Sequence, residues 1–170
     1  MNDIVFVNNN EWINQPNEIY YGIDLGTTYT VIASIDSDEI SVPMVRLPVK
    51  LLTIEQHSPM PLDGSDKSEM MASILGIDNE SMYVGNKLYK LKGHPMFQKD
   101  KNLFYNWKLD LGISVKPLYK EAVRKDVNDA SKVAGKILNY SKIQLIGKEA
   151  EWKNVVVSVP ASFLPNQRAD

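Results

Sequence analysis

The sequence predicts a mixed α/β fold, and three stretches predict it. Ile19 to Ala33 reads as strand, tight turn, strand. Pro117 to Ile146 carries a helical period. Val155 to Val159 is a continuous apolar run of the kind found in a strand covered on both faces.

The first stretch is a short apolar run rich in Ile and Tyr, ending in Asp24-Leu25-Gly26-Thr27-Thr28 and followed at once by a second strand-like run from Tyr29 to Ile35. Ile40 to Leu47 reads as a third strand, which makes a meander. Pro59 to Asp66 is a loop by its Pro, Gly, Ser and Asp content. Ala72 to Ile77 and Ser81 to Val84 read as short strands, and Lys90 to Asn102 as a loop or short helix. In the long helix, Tyr119, Val123, Val127, Ala130, Ala134, Ile137, Leu138, Ser141 and Leu145 share a face, Pro117 suits the first turn and Gly147 the stop. Gly135 in mid-helix costs about 1 kcal/mol against Ala and marks a close contact or a break. Pro160 ends the Val155–Val159 strand, and a helix opens at Pro165 or Asn166. Residues 1–18 are Asn-rich and form a leader, with an extra strand at Ile4 to Val7.

The turn at 24–29 has two readings. A carboxylate, a glycine and two hydroxyls between strands suit phosphate and magnesium: Gly26 lets an anion approach the backbone, turn N–H groups can converge on it, and Asp24 is a hard oxygen ligand. The same residues also make a plain hairpin in which Asp24 caps backbone N–H groups.

A net charge of −2 offers no general attraction for nucleic acid or anionic membranes. The chain has no cysteine, so it has neither disulfides nor thiolate metal sites. No apolar run reaches membrane-spanning length, and Asn8-Asn9-Asn10 stands where a secretory apolar region would be, which points to the cytoplasm. His57 and His94 sit beside proline in polar stretches and read as surface loop residues. Trp12, Trp107 and Trp152 read as packing residues.

Tyr21-Gly22-Ile23-Asp24-Leu25-Gly26-Thr27-Thr28-Tyr29-Thr30 resembles the first phosphate loop of the actin-like ATPases, closest to the seventy-kilodalton heat-shock chaperones (DnaK-like). Asn154-Val155-Val156-Val157-Ser158-Val159-Pro160-Ala161-Ser162-Phe163 with Asn166-Gln167-Arg168 is similar to the chaperones' Val-Pro-Ala-Tyr-Phe segment and its following Gln-Arg. Tyr83-Val84-Gly85 and Asn102-Leu103-Phe104 resemble segments between them. The chain departs from the family at Ser162, where the family has Tyr, and at Lys108-Leu109-Asp110-Leu111-Gly112, where it has Lys-Arg-Leu-Ile-Gly. It also departs in the long stretch Ser41 to Ser68.

The resemblance implies a ribonuclease H-like, actin-like ATPase fold with only its first lobe present. It implies a core half-domain at 19–49 and 112–170, and a smaller α/β insertion at 50–111. It further implies ATP or ADP with Mg as cofactors, Asp24 orienting the metal through water, and Gly26, Thr27, Thr28 and Tyr29 holding phosphates. Lys90 becomes the catalytic lysine by a one-residue insertion, with Lys87 and Lys92 as neighbours in register. Pro160 and Arg168 become the residues that couple nucleotide state to a peptide-binding domain. Unfolded or hydrophobic peptides, co-chaperones and a nucleotide exchange factor are the implied partners, with neither nucleic acid nor membrane among them. None of the nine glycines is adjacent to another, so the family's second, Gly-Gly-Gly phosphate loop is missing. The expectation is a truncated chain, inactive alone. A carbohydrate-kinase lobe and a degenerate, non-hydrolysing scaffold are the alternatives.

Overall fold

The computed structural model describes residues 18–39, 49–60, 64–160 and 163–169, and the fold is mixed α/β with several sheets and few helices. The predicted strands Ile4–Val7 and Ile40–Leu47, and Ser162, lie outside the described residues.

The first sheet is built on the predicted hairpin. Strands β1 (Ile19–Leu25) and β2 (Tyr29–Asp36) pair antiparallel from Ile19↔Asp36 to Leu25↔Thr30. This register puts Ile23 and Leu25 inward and Asp24 outward, as the two-residue period of a strand requires. On its other edge β2 pairs with β3 (Lys50–Leu51) and, towards the turn, with β6 (Met70–Ala72). Strands β4 (Ile54–His57) and β5 (Ser65–Ser68) form a separate ladder, so the predicted loop gives way to strand at Ser65, and His57 ends a strand. Strand β7 (Leu75–Asp78) lies between β8 (Ser81–Val84) and β9 (Leu103–Phe104) in a third sheet. The predicted strand at Ala72–Ile77 is thus two strands, parted at Ser73 and Ile74.

The long helix is a little over half the predicted length, 17 residues. Helix α1 runs from Ala130 to Ile146 and stops at Gly147, whose φ of 100° is left-handed and whose N–H bonds to the Ile143 carbonyl. Residues 117–129 are not α-helical because other partners hold them. The Tyr119 N–H bonds to the Asn128 carbonyl, and that of Val123 to the Lys101 carbonyl. The Arg124 guanidinium grips Asp126 through two nitrogens, and the Tyr119 hydroxyl reaches Asp110 at 2.9 Å. Periodicity alone does not register these competitors. Helix α1 is hydrogen-bonded to β4 at Glu55: Tyr140 Oη and Gln144 Nε2 both donate to the Glu55 carbonyl, and the Glu55 N–H donates to Gln144 Oε1.

The main core joins these elements. Leu25, Ile54, Met71, Leu75, Phe104, Trp107, Val133 and Ile137 form one buried cluster. Fully burying a side chain of this size is worth about 1.5–3 kcal/mol. A second cluster of Ala72, Ile74, Leu88, Leu91, Phe97 and Leu103 lies against Tyr29 and Tyr89.

Strand β10 (Val155–Ser158) runs parallel to β1 at the end of the first sheet. Val156 is 65% exposed and Val157 48%, so the described residues do not cover the apolar run on both faces as expected. Helix α2 (Pro165–Ala169) opens at Pro165 as predicted. Among the described residues no helix is long and apolar enough to cross a membrane.

Candidate phosphate-binding turn

Three buried groups fix the turn from Gly26 to Thr28. The Ser73 N–H bonds to the Thr28 carbonyl at 2.9 Å, and the Ser73 hydroxyl meets Thr30 Oγ1 at 3.0 Å. Trp107 donates its indole N–H to the Ser73 carbonyl at 2.8 Å. The residue after Trp107 completes the arrangement: Lys108 Nζ donates to the Gly26 carbonyl and, at 3.3 Å, to that of Tyr29. The break between β6 and β7 and the 3-10 turn Trp107–Asp110 therefore hold the turn together from outside the hairpin.

Lys108 is 1% exposed. Burial pushes its ammonium down to about 8, and the Asp24 carboxylate pulls partly the other way. With that value roughly nine-tenths of the groups keep their charge at pH 7. An ammonium has three donors, and two are spent on the turn's carbonyls, which leaves one. A buried cation beside an exposed turn is a lasting source of positive potential for an anion.

Asp24, Thr27 and Thr28 are exposed, and Tyr29 is half-buried against Tyr89, with ring centroids 6.4 Å apart. Asp24 Oδ1 accepts a 2.8 Å hydrogen bond from Ser158 Oγ. Oδ2 lies towards Gly26, where an added Cβ would sit 3.9 Å from it and 3.2 Å from the Tyr29 carbonyl. Glycine keeps that space open. Among the described residues no three His, Cys, Asp or Glu side chains gather around a metal position. One carboxylate beside an open turn still fits magnesium, which keeps most of its waters and takes one or two carboxylates plus phosphate oxygens.

The sequence-predicted residues divide into groups. Asp24, Gly26, Thr27, Thr28 and Tyr29 share one turn. Lys90 is exposed, on the 3-10 turn Asn86–Leu91, and Lys92 stacks its ammonium over Tyr89 at 4.3 Å and Tyr105 at 4.5 Å. Pro160 and Arg168 meet at one residue: the Pro160 carbonyl accepts the Phe163 N–H at 2.9 Å, and Arg168 Nε donates to the Phe163 carbonyl at 3.1 Å. Lys108, Ser73 and Ser158 were not singled out from the sequence. A signal for Lys108 was present, because Lys108–Gly112 retains the lysine of the family's Lys-Arg-Leu-Ile-Gly. Ser73 had none, since its part comes from the break between β6 and β7; the one sign of Ser158 is a lone hydroxyl in a valine run, and strand register sets its partner.

Two grooves flank α1. One is lined by Lys125, Asp126, Lys132 and Lys136, the other by Leu111, Leu138, Val157, Val159 and Phe163, and Gly26–Tyr29 line neither. No protein-family model matches the chain, and no curated protein matches its sequence.

Proposed function

We propose that the turn at 24–29 binds the phosphates of a magnesium nucleotide, and that the chain is the first lobe of a DnaK-like ATPase with the actin-like fold. The observation that carries this reading is Lys108. A protein does not bury an ammonium cheaply, and here it lies under a glycine-and-threonine turn with a carboxylate alongside.

In this reading the N–H groups of the turn and the Thr27 and Thr28 hydroxyls hold phosphate oxygens. Asp24 holds magnesium through water. When bound, magnesium neutralises phosphate charge. Lys108 supplies fixed positive charge below the turn, and positioning with electrostatics is most of what phosphoryl transfer asks of a protein. Lys90 is the second candidate for the cation. Pro160 and Arg168, tied through Phe163, pass the nucleotide state to a peptide-binding partner domain; hydrophobic peptides, co-chaperones and an exchange factor belong to the same reading, as does a cytoplasmic location. Hydrolysis needs groups held in register on both sides of the phosphates, so this chain alone binds weakly and does not turn ATP over.

The test is calorimetric titration of the chain with ATP, with and without magnesium. Weak saturable binding that magnesium strengthens is expected, with the magnesium-dependent gain lost in Asp24→Asn and the affinity lowered in Lys108→Ala. Equal behaviour of Asp24→Asn and the parent chain would leave the plain hairpin as the right description.

A further inference from the structure

We infer that Ser158 is a positioning residue for Asp24, an inference that rests on the phosphate-and-magnesium reading. The parallel register of β1 and β10 sets Asp24 opposite Ser158, and the hydroxyl reaches Oδ1 at 2.8 Å.

The sequence around it gives the bond its meaning. Val155, Val156, Val157 and Val159 are all valine, and the one hydroxyl in the run stands opposite the carboxylate. A serine is a poorer strand former than the valines around it, so local structure does not account for the choice. A carboxylate only accepts, and a hydrogen bond from an O–H to an ionised acceptor is of the stronger kind. Held by one oxygen, Asp24 keeps a fixed direction and turns Oδ2 towards the space that Gly26 keeps open. Asp24 is exposed, so without Ser158 its side chain would sample other rotamers, and metal-bound water would have to pay to order it.

Two substitutions of nearly equal shape isolate the hydroxyl. Ser158→Thr keeps it, and Ser158→Val replaces it with a methyl in a strand already rich in valine. Titrate each variant of the full chain with ATP, with and without magnesium, and record the melting temperature. Ser158→Val is expected to weaken magnesium-dependent binding about tenfold, equivalent to ~1.4 kcal/mol. It should leave binding without magnesium unchanged, and Ser158→Thr should restore the parent affinity. Equal affinities for the Thr and Val variants would overturn the inference, as would an equal loss with and without magnesium, which is the mark of a general structural role. If Asp24→Asn also binds like the parent chain, the magnesium reading has failed. If Asp24→Asn loses binding while Ser158→Val does not, only the part given to Ser158 has failed.

Discussion

Lys108 and Asp24 make the clearest individual predictions. The Lys108 ammonium titrates near 8 in the folded chain, against an ordinary value of 10.5. Between those values the unfolded chain binds more protons than the folded one, so Lys108 makes stability rise with pH across that window. Lys108→Met removes the effect. Urea unfolding at intervals between pH 8 and 10 should show the parent chain gaining on the variant. A constant difference would contradict the burial of a charged lysine. Tyr119 works the other way. Burial, and then its bond to Asp110, raise its phenol, so its contribution falls only above pH 10 and the two effects separate. Gly85 tests packing. Its φ is 108°, and an added Cβ would lie 1.9 Å from Gln56 Oε1, which accepts the Asn86 N–H. Gly85→Ala should destabilise by about 2 kcal/mol or more, through strain and a displaced buried amide. A loss under about 0.5 kcal/mol would mean that the Gln56 contact yields easily.

Helix α1 and strand β10 separate what local chemistry dictates from what tertiary structure decides. The hairpin β1–β2, strand β8 and the starts and stops at Gly147 and Pro165 were readable because local chemistry sets them: alternation, a left-handed glycine, a proline in a first turn. The first half of the predicted helix was not. Its apolar spacing at Tyr119, Val123 and Val127 is real, but Lys101, Asn128 and Asp110 take the hydrogen bonds, and all three act through tertiary structure. The valines of β10 suggested cover on both faces, yet Val156 and Val157 are exposed. A composition reports what a strand favours, not what lies over it. The candidate site divides in the same way. Asp24 to Tyr29 are contiguous and were visible, whereas Lys108 and Ser158 arrive from distant segments. Gly135 is the direct test on α1. Among the described residues an added Cβ would meet nothing within 4 Å, so no close contact there explains the glycine. Gly135→Ala should stabilise the fold by about 1 kcal/mol, read from chemical denaturation. Destabilisation would show that something packs against this face.

Taken as a whole, the chain places an exposed carboxylate and two threonines on a turn that is held from beneath by Ser73, Trp107 and Lys108. The hairpin alone would not need a buried ammonium, and the ammonium alone would not need an open glycine turn. In the proposed reading they form one wall of an anion site, and Pro160 and Arg168 are joined at Phe163 beyond the end of β10. The most direct measurement is amide chemical-shift mapping of the chain during titration with magnesium ATP. The account predicts saturable shifts concentrated at Asp24 to Tyr29 and at Lys108, largely abolished by Asp24→Asn and absent with adenosine alone. Shifts that scatter over the surface, or gather along α1 while the turn stays silent, would contradict it.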